Sequence, residues 1–158
     1  MKTIIKKTAA ALLVLSSFLF FSFSSNFGGE GFEIYLQGKL VVQQFGKQLD
    51  DVKTIQLDNS LADSKLSVKY YHCGQIGKNR IIAIKDANNK TLKEWKYADG
   101  STGSLASSDN VMICKVSEIL NLQKNNTEKL NLFYSSSELP KGRVLATIVL
   151  AGGNVAKH

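Results

Sequence analysis

The sequence predicts an all-β fold, a single β-sandwich of about eight short antiparallel strands with Ig-like or jelly-roll-like connectivity. Apolar and polar residues alternate through most of the chain, and helical periodicity is almost absent. Turn residues recur about every 8–12 positions, which is typical of sandwiches and barrels. A small closed barrel is the alternative architecture, because strand spacing alone does not distinguish the two.

Alternation defines the strands of the first half. In residues 65–72 (KLSVKYYH) every second side chain is apolar or aromatic, so these side chains share one face. Gln37 and Gly38 separate residues 32–36 (FEIYL) from residues 40–45 (LVVQQF), which is typical of a β-hairpin. Residues 52–57 (VKTIQL) are a further strand.

The second half continues the same pattern. Its strand candidates are residues 80–86, 91–97, 111–116, 129–136 and 143–151. Residues 111–116 (VMICKV) are apolar on both faces, which predicts a strand buried on both sides. Ser117 is a suitable N-cap for one or two helical turns in residues 117–124. Residues 98–110 are polar and rich in Gly and Ser, which predicts a surface loop.

The first 24 residues have the pattern of a secretory signal peptide. Three lysines within the first seven residues precede an apolar run from Ala9 to Phe23. This run is shorter than the roughly 20 residues that a transmembrane helix requires, and an uncleaved anchor is the alternative. No cysteine lies near the cleavage region, which argues against a lipoprotein. We expect cleavage after Ser24 or Ser25 and a secreted or periplasmic domain, residues 25–158, with a loose carboxy-terminal tail.

The mature chain is only mildly basic. The full sequence has 20 Lys and Arg against 13 Asp and Glu, and removal of the three leader lysines leaves a net charge of +4. The basic residues are spread along the chain without a run of like charge, so we expect no nucleic-acid partner. We also expect no stable membrane span once the leader is removed.

The stretch YYHCGQIGKNR places His72 beside Cys73, and the second cysteine of the chain is Cys114. Two cysteines in an oxidising compartment normally pair, so we predict a Cys73–Cys114 disulfide. Closing a loop of about 40 residues would stabilise the fold by roughly 4 kcal/mol in the chain-entropy model. Because Cys73 falls on the polar side of its strand, this bridge requires the chain to turn at Gly74.

Catalysis and metal binding are less favoured interpretations of the same stretch. Adjacent side chains in a strand point to opposite faces, so His72 and Cys73 cannot form a nucleophile–base pair there. The paired, closely spaced ligands of structural zinc sites are absent from the sequence. We therefore predict no catalytic residue, no metal site and no cofactor. A thiol-dependent or metal-binding protein is the alternative.

Four aromatic residues suggest a ligand surface. Exposed aromatic rings can stack on sugars, and the candidates are Tyr70, Tyr71, Trp95 and Tyr97. We favour the strand of residues 91–97 and the polar loop that follows it. The residues predicted to contact a ligand are Trp95, Tyr97, Asp99, Ser101 and Asp109. The alternative is that these aromatic residues pack in the core or across strands.

Several segments carry a resemblance. FEIYLQGK, YYHCGQIGKNRIIAIKD, LKEW and LNLFYSSSELPKGRVLATI, together with the lysine-rich leader, resemble uncharacterised small exported proteins of Bacteroidota. The resemblance covers most of the mature chain. It implies a bacterial source and an envelope or extracellular location, and it implies no activity.

These observations predict a non-enzymatic exported protein that binds or scaffolds a protein or a glycan at the cell envelope. The alternative is an inhibitor-type protein, a small disulfide-linked scaffold that presents a loop to an extracellular enzyme.

Overall fold

The computed structural model describes residues 29–101, 110–122 and 129–150. The predicted leader, most of the 98–110 loop and the predicted tail lie outside these ranges. Within them, nine strands form two sheets and no closed barrel, so the all-β sandwich is confirmed and the barrel alternative is wrong.

The four-stranded sheet is entirely antiparallel. It contains β1 (Gly31–Leu36), β2 (Lys39–Phe45), β4 (Lys65–Tyr71) and β7 (Met112–Lys115), in the spatial order β2-β1-β4-β7. The predicted turn between β1 and β2 is confirmed. Gln37 has φ of 53° and Gly38 has φ of 77°, as a two-residue hairpin turn of type I′ requires.

The five-stranded sheet is mixed. It contains β3 (Lys53–Leu57), β5 (Arg80–Lys85), β6 (Thr91–Tyr97), β8 (Leu130–Ser135) and β9 (Arg143–Leu150), in the order β3-β9-β8-β5-β6. Its β3–β9 pair is parallel, which differs from the all-antiparallel prediction. The orders β1-β4-β7 and β9-β8-β5-β6 match strands A-B-E and G-F-C-C′ of immunoglobulin-type sandwiches.

The core lies between the sheets and follows from the alternation in the sequence. In β4 the side chains of Leu66, Val68 and Tyr70 are buried, as the prediction for residues 65–72 requires. Strand β8 contributes buried side chains in the same alternating way. One hydrophobic cluster joins both sheets, so the two sheets share a single core.

Two details of the prediction are wrong around β7. Ile113 is 46% exposed, because β7 is an edge strand of which only the inner face is covered. The helix that follows, α1, spans Val116–Leu120 and has the predicted length of one to two turns, but its N-cap is Lys115, so Ser117 lies inside the helix. No helix in the described ranges is long and apolar enough to cross a bilayer.

Candidate functional site

The predicted disulfide is not formed. Cys73 is an exposed free thiol, and Cys114 is a buried free thiol. The register of β4 against β7 explains the separation, because it places Cys114 opposite Leu66. From Leu66 to Tyr71 the strand advances five residues, or about 16 Å at ~3.3 Å per residue. A disulfide requires Cα atoms roughly 4.4–6.8 Å apart, so these cysteines cannot pair in this fold.

Cys114 is held in an environment that suppresses thiol chemistry. Its Sγ lies 3.3 Å from the Tyr97 hydroxyl. Burial raises the pKa of the Cys114 thiol to about 11, although the hydrogen bond with Tyr97 acts in the opposite direction. The thiolate is the reactive form of cysteine, so Cys114 is unreactive near neutral pH.

His72 closes one end of the sandwich. Its Nε2 lies 2.8 Å from the Tyr134 hydroxyl and 3.3 Å from Ser136 Oγ, and its ring contacts the Tyr70 ring at a centroid distance of 4.8 Å. Burial lowers the pKa of His72, and the Arg80 charge adds to that effect against the opposing charges of Glu138 and Glu30.

The Ser136–His72 contact does not make a hydrolytic centre. Tyr134 occupies the same ring nitrogen at the shorter distance, and both Ser136 and His72 are buried. The backbone at Gly77 lies so close to the His72 ring that an added Cβ would approach it within 3.1 Å. The contact therefore satisfies two buried polar side chains.

Trp95 and Tyr97 close the gap between the edge strands β6 and β7 and are partly buried. Trp95 packs against the core and donates from Nε1 to Glu118 at 2.8 Å. Tyr97 donates to the carbonyl oxygen of Ile113 at 2.8 Å. Both side chains therefore hold β6 and β7 together at this gap, which we call the seam. Their predicted contact with a ligand stays a prediction.

The predicted loop residues are also engaged within the fold. Asp99 accepts a hydrogen bond from the backbone N–H of Asn79 at 2.9 Å. The backbone N–H of Ser101 donates to Asn110 Oδ1 at 3.1 Å. Asp109 lies outside the described residues. Within the described ranges no three His, Cys, Asp or Glu side chains are grouped closely enough to hold a metal ion.

A different surface collects aromatic and polar side chains, and we call it the tyrosine platform. It lies on the outer face of the four-stranded sheet and consists of Glu33, Tyr35, Gln43, Phe45, Lys69 and Tyr71. Register sets two adjacent rows across the sheet, Phe45–Gly31–Tyr71 and Gln43–Glu33–Lys69. Tyr71 was a sequence candidate, whereas the other five residues were not.

Glu33 is the centre of the tyrosine platform. Its Oε2 accepts hydrogen bonds from the hydroxyls of Tyr35 at 2.7 Å and Tyr71 at 2.8 Å, and its Oε1 accepts from Gln43 Nε2 at 3.0 Å. Because Tyr35 is two residues along the same strand, this bond requires its side chain to lean along the sheet. The carboxylate therefore fixes both phenol rings over the sheet surface.

The charge state of the tyrosine platform follows from these bonds. Burial acts to raise the pKa of Glu33, but the hydrogen bonds from Tyr35, Tyr71 and Gln43 and the nearby charge of Lys69 outweigh it and lower the pKa. Burial and the bond to Glu33 raise the pKa of Tyr71. Near neutral pH the centre is therefore an ionised carboxylate held by neutral phenols.

Phe45 completes the aromatic part of the tyrosine platform. A Cβ at Gly31 would lie 2.0 Å from Phe45 Cδ1, so the phenyl ring rests directly on the glycine backbone. The ring stacks with Tyr71 at a centroid distance of 5.6 Å and is part of a side chain that is 38% exposed. Lys69 Nζ lies 5.6 Å from the centroid of the Tyr35 ring, within reach of a cation–π contact.

Compared with known proteins, the chain matches no family model and no curated protein sequence.

Proposed function

We propose that this protein is an exported, non-enzymatic binding protein of the bacterial cell envelope that recognises a glycan through the tyrosine platform. The observation that carries the proposal is the Glu33 carboxylate, which orients Tyr35 and Tyr71 beside an exposed Phe45. The signal-like leader and the resemblance to exported proteins support the location.

The chemistry of the tyrosine platform suits a sugar. One face of a pyranose ring presents C–H bonds that pack on an aromatic ring, while its hydroxyl groups require hydrogen-bond donors and acceptors. Phe45 and Tyr71 supply the aromatic part. Gln43 and Lys69 supply polar groups in the neighbouring row, and the Gln43 side chain is exposed.

The shape favours an extended polymer over a small free sugar. Pockets for small molecules are concave and bury most of the ligand, whereas the tyrosine platform is the open face of a sheet. A chain of several sugar units would cover the two rows and gain contact area without a cavity.

Pre-organisation supports the same interpretation. Ordering a flexible side chain on binding costs about 0.5–1.5 kcal/mol. The bonds to Glu33 hold two tyrosines in place before a ligand arrives, so this cost is reduced for both rings. Tyrosine also has few rotatable bonds for its contact area.

The test is a binding screen of the secreted protein on immobilised polysaccharides, with peptidoglycan, mannan and β-glucans as probes. We expect Tyr71→Ala to weaken binding to the recognised glycan by about tenfold or more, which corresponds to at least ~1.4 kcal/mol. Glu33→Gln should weaken it less, because both tyrosines donate to the same carboxylate oxygen and an amide oxygen in its place can still accept from them, although more weakly than a charged group.

Trp95→Phe is the matched control, since it changes an aromatic residue on the five-stranded sheet instead of one on the tyrosine platform. It should leave glycan affinity unchanged, and glycans should not shift the emission of the single tryptophan. If binding depended on Trp95 and not on Tyr71, the contact would lie at the strand of residues 91–97. Tight binding to one extracellular hydrolase, with no glycan bound, would favour the inhibitor-type alternative.

A further inference from the structure

Strand β2 is an edge of the four-stranded sheet and carries an unusual share of exposed apolar surface. Leu40 is 48% exposed, Val41 is 44% exposed and Phe45 is 38% exposed, and these are three of the five exposed large hydrophobic residues in the described ranges. The strand has a single charged residue, Lys39. Exposed apolar edge strands are templates for pairing with another strand.

The other edges of the two described sheets are protected. Strand β7 has only four residues, and the carbonyl oxygen of Ile113 already accepts from Tyr97. Strand β6 carries three charged residues, and in β3 the side chains of Lys53, Thr54 and Gln56 are exposed. Short length, charge and polar side chains are the usual protections of an edge. Along residues 41–45, strand β2 has no charged residue, and Gln43 is its one exposed polar side chain between the exposed apolar side chains of Val41 and Phe45.

The hydrogen bonding of β2 shows which backbone groups face outward. The N–H of Gly46 donates to the carbonyl of Glu30 at 3.0 Å, so residue 46 bonds toward β1. Antiparallel pairs alternate between bonded and non-bonded positions. Gln44 and Val42 therefore also bond toward β1, and the N–H and C=O groups of Gln43 and Phe45 point to the open edge.

We propose that β2 pairs antiparallel with β2 of a second copy of this chain about a twofold axis at Gln43. In that register Val41 lies opposite Phe45 of the second copy, on the outer face, and the two Gln43 side chains meet on the axis. A twofold interface must be complementary to itself. On the outer face this segment is, because an apolar residue faces an apolar one and an amide faces an amide, while on the buried face Val42 lies opposite Gln44 of the second copy.

The register also avoids charge repulsion at its centre. Lys39 lies beyond the paired segment, before the irregularity that leaves Val41 unpaired with β1. That bulge bends the strand and limits the pairing to residues 41–45. The product is a continuous eight-stranded sheet with two tyrosine platforms side by side. The dimer does not depend on the proposed glycan function, although it would make the protein bivalent for a polymeric ligand.

Sedimentation velocity across a roughly hundredfold range of concentration tests the dimer, because mass action shifts the equilibrium. We expect the mass of the secreted protein to double with concentration. Val41→Lys should weaken dimerisation by about tenfold or more, because the twofold pair loses two apolar cross-strand contacts. Ile113→Lys is the matched control, with similar exposure on the opposite edge of the same sheet, and should dimerise normally.

Cross-linking tests the register. Directly opposed residues of a bonded antiparallel pair have Cα atoms about 5.5 Å apart, which suits a disulfide. In a Cys73→Ser background, Gln43→Cys should therefore form a covalent dimer under mild oxidation, and Ile113→Cys should not. A monomer at all concentrations, species larger than a dimer, or equal cross-linking of both variants would overturn the proposal.

The two proposals fail separately. Tyr71→Ala should lose glycan binding and still dimerise, whereas Val41→Lys should become monomeric and keep its affinity for a soluble monovalent glycan.

Discussion

At the scale of single residues, the two thiols differ in access. Cys73 follows the end of β4 and is exposed, whereas Cys114 lies beneath Tyr97 with a pKa raised by burial to about 11. We expect iodoacetamide to label one thiol per chain in the folded protein without reductant, and two thiols in denaturant. Intact mass measures both. A chain that is labelled only after reduction would restore the predicted disulfide and contradict this fold.

His72 makes stability depend on pH. Burial lowers its pKa in the folded state below the ordinary value of 6.5, so the unfolded chain binds a proton more readily. The stabilising contribution is therefore complete above pH 6.5 and is lost as pH falls through the folded-state pKa. We expect the melting temperature to fall between pH 7 and pH 5, with a shallower slope in His72→Gln. Equal slopes in both proteins would contradict the assignment.

At the scale of elements, two turn glycines provide a matched pair. Gly142, before β9, has φ of 65°, and an added Cβ would lie 2.2 Å from the Phe133 ring and 2.7 Å from the Tyr134 carbonyl oxygen. Gly38, in the β1–β2 turn, has φ of 77°, and an added Cβ would meet nothing within 4 Å.

The pair separates backbone strain from a steric clash. Gly38→Ala incurs only the left-handed conformation, about 1–2 kcal/mol. Gly142→Ala adds contact with backbone that cannot move freely, so we expect a loss of roughly 3 kcal/mol or more in the free energy of unfolding. Urea denaturation of both variants measures the difference. Equal losses would show that the turn at Gly142 yields to the methyl group.

Alternation predicted the strands well because it is a local property. The buried face of residues 65–72 and the turn at Gln37-Gly38 were both predictable from neighbouring residues in the sequence. The burial of residues 111–116 on both faces was predicted wrongly for the same reason. Their apolar side chains on both faces suggest full burial, but only the position of β7 at a sheet edge shows that Ile113 is exposed.

At the scale of the whole molecule, strand order and register determine the two features that the sequence did not predict, the separation of the cysteines and the assembly of the tyrosine platform. The distance between Cys73 and Cys114 depends on the register that places Cys114 opposite Leu66, and no spacing along the chain contains that register. The tyrosine platform is similar. Glu33, Phe45 and Tyr71 come from three strands, and they meet only because β1 lies between β2 and β4. Tyr71 was detectable as an aromatic residue on a polar face, but its partners were not.

The parallel pair of β3 and β9 has a consequence for how the chain is made. It joins Lys53 to Ala146, and β9 lies between β3 and β8. A chain that emerges amino end first, from a ribosome or a translocation channel, holds β3 without its neighbour until β9 has also emerged. The five-stranded sheet therefore closes only when nearly the whole domain has been delivered.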